Sequence, residues 1–219
     1  MDQPQVMTTH DPGAARGVLL MLHGGQEHSH DPVRNNHASW WRMALMARAL
    51  RTYAERNSLA VVLVRYRKRG WNDKANPDPV IDARIALAQV AGRFGEAPVV
   101  LVGHSMGGRT ACRVADGHNV VGVVALAPWL PEGEPNVAIA RRHVRVVHGS
   151  RDKWTSARWS KDYVERCRGL AASANWTSMP GAGHFMLRRV GQWNRFVEDS
   201  VSDILGLAAR KGTPTEGNP

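Results

Sequence analysis

The chain has 219 residues, which is enough for one substantial hydrophobic core and lies in the range where an α/β domain remains undivided. Hydrophobic residues make up 43% of it and charged residues 22%, close to the averages of soluble globular proteins, which argues against a disordered or a membrane-spanning chain. The formal net charge of +10 would suit nucleic acid, but the basic residues are spread along the whole chain instead of forming a patch. We expect a single domain over residues 1–219, with its core at about 17–208 and with no nucleic-acid or membrane partner.

The chain gives no indication of secretion or of a cofactor. Its first residues lack the apolar run of a signal peptide, so a cytoplasmic location is the default expectation. Cys112 and Cys167 have neither metal-ligand spacing nor the context of a disulfide scaffold. In the histidine-rich segment 28–37, Asp31 follows His30 directly, which departs from the spacing of a metallo-hydrolase motif. We interpret this segment as a polar loop at a pocket entrance and predict no metal and no other cofactor.

Apolar, β-branched runs alternate with helical patterns along the chain. This alternation predicts an α/β fold, a mainly parallel sheet with helices on both faces. Near-continuous Val and Leu content is typical of strands that are covered on both sides. Six strands are predicted, the last of them more weakly patterned: 17–22, 60–66, 98–102, 120–127, 144–148 and 175–179.

Helical patterns fill the segments between these strands. A helix over 39–56 is predicted to pack Trp41, Leu45, Ala49 and Tyr53, which follow one another at i, i+4 spacing. The next helix is predicted from Asp78 to near Gly92, packing Ile81, Ile85 and Ala88. Three more helices are expected: one directly after Ser105, one within 156–172, and a last one that presents Trp193, Val197, Val201 and Ile204.

The predicted strand 98–102 runs directly into the sequence G-H-S-M-G at 103–107, and a helical pattern resumes at once. This is the G-x-S-x-G nucleophile elbow in its required strand-turn-helix context. The sharp turn strains the backbone of the serine, and small neighbours at Gly103 and Gly107 accommodate it. We therefore predict Ser105 as a nucleophile at the N-terminus of a helix. The alternative is a glycine-rich turn without a catalytic role.

A serine hydroxyl needs an adjacent base, which a carboxylate in turn orients. His184 follows the last predicted strand in the sequence G-A-G-H-F, and Asp152 follows the strand 144–148 in H-G-S-R-D. Both therefore emerge at the same edge of the sheet as Ser105, in the chain order Ser, Asp, His. We predict His184 as the base and Asp152 as the acid, with Glu132 as the alternative acid.

Two backbone N–H groups are needed to hold the oxyanion that forms when the serine attacks. The Met106 amide is one candidate, and the Gly25 amide after the first predicted strand is the other, with Gln26 as its alternative. Gln26, Trp129 and Trp154 are candidates for lining a substrate pocket, because pockets are mostly apolar with a few polar groups. The alternative for the two tryptophans is a role as bulky core residues.

Four motifs in order, LHGGQ, GHSMGG, HGSRD and GAGHF, resemble the α/β-hydrolase superfamily, and the resemblance covers about residues 17–208. It implies the α/β-hydrolase fold and esterase, lipase, thioesterase or related acyl-transfer chemistry. Two departures from the family follow. Only about 17 residues precede the first predicted strand, so the usual N-terminal hairpin is expected to be reduced or absent. Only residues 129–143 are available where other members insert a helical cap, so no cap domain is expected.

These residues lead us to expect a serine hydrolase that cleaves a carboxylic ester or thioester of a small molecule through an acyl-enzyme intermediate. Two alternatives remain open, a non-catalytic ligand-binding protein of the same fold and an acyltransferase with an acceptor other than water. Residues 211–219, rich in Gly, Pro and Thr, are expected to form a disordered tail. The sequence predicts neither the oligomeric state nor the identity of the ester.

Overall fold

The computed structural model describes residues 3–207 of the chain. The tail predicted at 211–219 lies outside the described residues. The described part contains one sheet of seven strands: β1 (Gln5–His10), β2 (Gly17–Leu22), β3 (Leu59–Arg65), β4 (Val99–His104), β5 (Val120–Leu126), β6 (His143–Gly149) and β7 (Ser173–Met179).

The strand order is β1-β3-β2-β4-β5-β6-β7, and every neighbouring pair from β3 to β7 is parallel. All residues of β2 and β4 are buried, as their continuous Val and Leu content requires of strands that are covered on both faces. The predicted fold class, a mainly parallel α/β sheet with flanking helices, is confirmed.

The sheet has one strand more than predicted. β1 pairs antiparallel with β3 at the edge of the sheet, and its residues are only half-buried or exposed. An edge strand needs no continuous apolar run, so its mixed sequence gave no strand signal. Within residues 3–207, one antiparallel strand therefore precedes β2 where the resemblance implies a hairpin.

Six α-helices lie in the described part: α1 (Ala38–Ala49), α2 (Arg51–Arg56), α3 (Asp78–Phe94), α4 (Met106–Arg113), α5 (Ala157–Cys167) and α6 (Val190–Leu205). The single helix predicted over 39–56 is divided into α1 and α2. The predicted packed face of α1 is wrong, because Trp41 and Leu45 are about half exposed while Trp40, Met43 and Met46 are buried.

The packed face of α3 also differs from the prediction. Ile81 and Ala88 are exposed, whereas Asp82 is completely buried. Asp82 accepts hydrogen bonds from the backbone N–H of Arg67 at 2.7 Å and from its Nε at 2.6 Å. A buried carboxylate with an arginine partner is tolerated in a core, so hydrophobicity alone assigned the wrong face. The four residues predicted for the packed face of α6 are buried.

The connection between β5 and β6 is short. It holds a single turn of 3-10 helix, Val137–Ile139, and no helical cap. None of the helices within residues 3–207 is both long and apolar enough to cross a membrane.

The topology brings four loop segments to one edge of the sheet. β2, β4, β6 and β7 run parallel, so the segments that follow their C-terminal ends emerge on the same side. These segments carry Gly25, Ser105, Asp152 and His184, respectively.

Candidate active site

Ser105 lies at the sharp turn between β4 and α4. Its backbone has φ 55° and ψ −118°, a conformation that side-chain-bearing residues rarely adopt. A Cβ added to Gly107 would lie 2.2 Å from the carbonyl oxygen of Leu22, and one added to Gly103 would lie 2.2 Å from the carbonyl oxygen of Gly107. The two glycines are therefore required by the space around the turn.

The structure brings Ser105, His184 and Asp152 into one hydrogen-bonded series. The Oγ of Ser105 lies 3.0 Å from Nε2 of His184, and Nδ1 of His184 lies 2.8 Å from Oδ2 of Asp152. An ionised carboxylate only accepts, so Nδ1 carries the hydrogen and Nε2 is left to accept the serine proton. Glu132, the alternative acid, is exposed and makes no ion pair with His184 within residues 3–207.

The Asp152 side chain is completely buried, and both of its oxygens are hydrogen-bonded. Oδ1 accepts from the backbone N–H groups of Trp154 at 2.8 Å and Thr155 at 3.0 Å. Oδ2 accepts from His184 and from Oγ1 of Thr155 at 3.1 Å, and Nε2 of His148 lies 3.3 Å away. Burial alone would raise the pKa of Asp152, but the hydrogen bonds from His148, His184 and Thr155 outweigh it and hold the pKa well below its usual range. The carboxylate is therefore ionised at neutral pH.

His148 is a second imidazole at this carboxylate, and it is not among the site residues predicted from the sequence. Its side chain is completely buried at the end of β6. Nδ1 lies 2.9 Å from Oγ of Ser160, and Nε1 of Trp176 donates to this Oγ at 3.0 Å. His148 stands four residues before Asp152, within the H-G-S-R-D motif. That spacing was the available signal for a contact between the two.

Two further buried histidines support the loops at this edge. Nε2 of His104 donates to the carbonyl oxygen of His184 at 2.9 Å, and burial lowers the pKa of His104 to about 3. Nδ1 of His23 donates to the carbonyl oxygen of Gly24 at 2.6 Å, and its Nε2 accepts from the backbone N–H of Tyr66 at 3.3 Å. Burial lowers the pKa of His23 to about 4. Both imidazoles are therefore neutral at physiological pH.

The two candidate oxyanion donors have no hydrogen-bond acceptor among residues 3–207. Met106 is the first residue of α4, so its N–H has no acceptor in a preceding turn. The Gly25 N–H also makes no hydrogen bond, and a Cβ on Gly25 would lie 2.3 Å from Cε of Met106. The alternative donor, the Gln26 N–H, is occupied because it donates to the carbonyl oxygen of Arg69 at 2.9 Å.

A cavity of about 1050 Å³ opens above Ser105 and His184, and Gln26, Trp129 and Trp154 all line it. Trp154 is 72% exposed and its ring stacks on that of His184, with the centroids 6.3 Å apart. Exposed apolar side chains continue along the rim of this cavity at Phe185 and Leu187. His28 and His37 of the histidine-rich segment also line the cavity. In the part of the chain that the structure describes, no three His, Cys, Asp or Glu side chains converge as metal ligands would.

Comparisons with known proteins agree with this fold. The model of the alpha/beta hydrolase family matches residues 19–181, which is more than half of the chain. No curated protein matches the sequence. One similar solved structure is a serine hydrolase homologue from Coxiella burnetii, 20% identical with a TM-score of 0.65, which covers 94% of this chain and 92% of its own.

Two further solved structures share the fold. A serine hydrolase without a lid from Xanthomonas campestris is 17% identical, with a TM-score of 0.65 and 97% of both chains covered. A thermophilic esterase from Thermogutta terrifontis, with butyrate bound, is 16% identical, with a TM-score of 0.66 and 95% and 91% of the two chains covered. The structural similarity at these low identities shows a common fold alone, whereas the match to the family model shows the family: this chain belongs to the alpha/beta hydrolase family.

Proposed function

We propose that the chain is a serine hydrolase that cleaves a carboxylic ester or thioester through an acyl-enzyme on Ser105. One observation carries this proposal: Ser105, His184 and Asp152 form a hydrogen-bonded series at a strained strand-to-helix turn. Backbone strain of this kind costs free energy and persists where the surroundings enforce it, commonly at functional sites. Membership of a hydrolase family supports the same conclusion.

In the proposed reaction, Nε2 of His184 takes the proton of Ser105 as Oγ attacks the carbonyl carbon of the ester. The amides of Gly25 and Met106 donate hydrogen bonds to the oxyanion that forms. His184 then gives its proton to the leaving alcohol or thiol, and an acyl-enzyme remains. Water then attacks this acyl group as it gives a proton to His184, which returns the proton to Oγ of Ser105 when the bond between Oγ and the acyl carbon breaks and the acid leaves. Asp152 stays ionised throughout and stabilises the imidazolium.

The cavity supports a small-molecule substrate. Its aromatic rim, with Trp154 stacked beside His184, offers apolar surface for the acyl or alcohol part of an ester. No helical cap covers the cavity within the described residues. The Thermogutta esterase holds butyrate, which makes short acyl esters sensible first substrates.

The direct test measures hydrolysis of p-nitrophenyl acetate, butyrate and longer esters by the parent and by Ser105→Ala. The substitution is expected to lower kcat by on the order of a million-fold with the fold intact, as judged by circular dichroism and thermal melting. A fluorophosphonate probe should label the parent at Ser105 and leave the variant unlabelled. Absence of both turnover and labelling in the parent would favour the ligand-binding alternative. Adding alcohol or amine acceptors and quantifying the products separates hydrolysis from acyl transfer.

A further inference from the structure

The cavity above Ser105 is lined by two arginines, Arg42 and Arg69, that have no carboxylate partner among residues 3–207. Three arginines of the described chain are buried, and the other two, Arg109 and Arg145, each form an ion pair with a carboxylate. Arg42 is only 8% exposed and forms none. Burying a charge without a counter-charge is unfavourable, so this exception needs an explanation.

The hydrogen bonds of Arg42 leave part of its guanidinium unused. Nε donates to the carbonyl oxygen of Phe185 at 3.2 Å and Nη2 to that of Met186 at 3.1 Å. Nη1 has no acceptor within the described residues. Two carbonyl groups satisfy two donors but do not neutralise the positive charge, and a guanidinium remains protonated even where burial lowers its pKa.

Arg69 places a second positive charge on the same cavity. Its carbonyl oxygen accepts from the Gln26 N–H, which fixes its backbone beside the loop that carries Gly25. Its half-buried side chain makes no hydrogen bond or ion pair within residues 3–207. Glu27 is the only carboxylate among the lining residues that the structure describes, and it is exposed, 3.7 Å from His28. Two arginines and one carboxylate therefore line the cavity that also holds Ser105.

We propose that this cavity binds a negatively charged substrate. The ester or thioester carries a carboxylate or a phosphate away from the reacting carbonyl group, and Arg42 and Arg69 bind this second oxyanion. The inference rests on the function proposed above and names the class of substrate. Guanidinium groups donate short, charge-assisted hydrogen bonds to carboxylate and phosphate oxygens. Such an oxyanion supplies both the missing acceptor for Nη1 and the missing counter-charge of Arg42. The apolar rim at Trp154 and Phe185 then holds the neutral part of the molecule.

A purely structural role for Arg42 makes a different prediction. In that case Arg42 only braces the loop 184–186 through its two carbonyl contacts, and its loss affects neutral and anionic esters alike. The measurement must therefore be a ratio of kcat/KM values, in which an effect common to both substrates cancels. Arg69 provides an independent variant, because its side chain braces no described residue.

The test uses two substrate pairs that differ only in charge. In the first, the leaving group carries the charge: S-butanoyl thioglycolate against the corresponding thioglycolamide. In the second, the acyl group carries it: the p-nitrophenyl monoester of adipic acid against that of adipamic acid. The parent is expected to prefer the anion by at least about tenfold in one of the pairs, which also shows on which side of the scissile bond the oxyanion binds. Inhibition of neutral-ester hydrolysis by inorganic phosphate and by succinate compares the two kinds of oxyanion.

Arg42→Gln and Arg69→Gln should each bring the preference for the anion close to one. The matched control is Arg48→Gln, which removes the same charge from an exposed position on α1 outside the cavity and should keep the preference of the parent. Equal kcat/KM values within both pairs, with no inhibition by phosphate or succinate, overturn the inference. So does an unchanged preference in both cavity variants. If turnover is abolished by Ser105→Ala, these results overturn the inference alone, whereas turnover that survives Ser105→Ala overturns the proposed function.

Discussion

Replacing Asp152 with Asn tests whether the carboxylate of Asp152 keeps the imidazole hydrogen of His184 on Nδ1. Oδ1 of Asp152 accepts from two backbone N–H groups, those of Trp154 and Thr155. In the Asn variant only the carbonyl oxygen can occupy this position, so the amide nitrogen must stand where Oδ2 stood. Its N–H then faces Nδ1 of His184, which must accept instead of donate. The imidazole hydrogen moves to Nε2, and Ser105 loses its base.

We expect Asp152→Asn to lower kcat about 10⁴-fold, the loss typical of a triad histidine held in the wrong tautomer. This corresponds to about 5 kcal/mol of transition-state stabilisation. Turnover of p-nitrophenyl butyrate and the rate of fluorophosphonate labelling of Ser105 measure the effect, while ¹⁵N NMR of the imidazoles reports the tautomer of His184. Thermal melting checks that the variant is folded. A folded variant with the hydrogen on Nε2 and a kcat within about tenfold of the parent would refute this reasoning.

The remaining predictions concern stability and the surroundings of the site. Gly107→Ala should lower the free energy of unfolding, measured in urea, by more than about 2 kcal/mol, because the added Cβ would lie 2.2 Å from a backbone oxygen. Gly92→Ala, in open space on α3, should instead raise it by about 0.5–1 kcal/mol. A destabilised Gly92 variant or an unaffected Gly107 variant would contradict this. His148→Leu should lower kcat/KM more than His148→Gln, because the glutamine amide can still donate a hydrogen bond to the carboxylate of Asp152. Equal losses of kcat/KM in the two variants would show that His148 contributes packing only. Burial lowers the pKa values of His23 and His104, so the unfolded chain binds protons that the folded chain does not once the pH falls below about 6.5. Keeping these two imidazoles buried and neutral therefore costs no stability above that pH, and by pH 5 it lowers the free energy of unfolding by up to about 2 kcal/mol for each histidine. Equal free energies of unfolding at pH 7 and pH 5 would contradict this prediction.

Much of the sheet could be predicted because buried parallel strands carry an unambiguous pattern. In β2 and in β4 up to Gly103 every residue is apolar or glycine and every residue is buried, so local composition is enough. The same criterion could not find β1, which lies at an edge and whose sequence Q-V-M-T-T-H is neither a continuous apolar run nor a regular alternation of polar and apolar residues. Recognising it would have required its partner, β3, which is about fifty residues away in sequence.

The helix faces show a second limit of local pattern. In α1 both Trp40 with Met43 and Trp41 with Leu45 satisfy helical spacing, and only docking against the sheet decides between them. In α3 the buried Asp82 is compatible with the core because Arg67 reaches it from another element. Hydrophobic spacing identifies a helix, whereas its orientation depends on contacts that the spacing does not contain.

In the candidate site, too, local sequence predicts some of the residues, whereas others depend on contacts made in the fold. Ser105 was found from a turn whose chemistry is local, and Asp152 and His184 from their positions after parallel strands, which a shared sheet edge brings close together. No local motif predicts a role for Arg42, since its partners lie far away in the chain, and the only sequence signal for His148 is its four-residue spacing from Asp152. Arg42 meets the loop that carries His184 from more than 140 residues earlier in the chain.

The partners of the buried arginines indicate a binding site that the net charge of the chain does not. Along the sequence the basic residues are spread evenly, and the net charge of +10 predicts no particular partner. In the folded chain the informative property is pairing. Arg109 and Arg145 are neutralised by carboxylates, while Arg42 is as deeply buried as they are and has none. An arginine without a carboxylate partner indicates an anion site where two conditions hold: burial makes the unpaired charge unfavourable, and a cavity lets a ligand reach it. Within the described residues, Arg42 in the cavity above Ser105 meets both conditions.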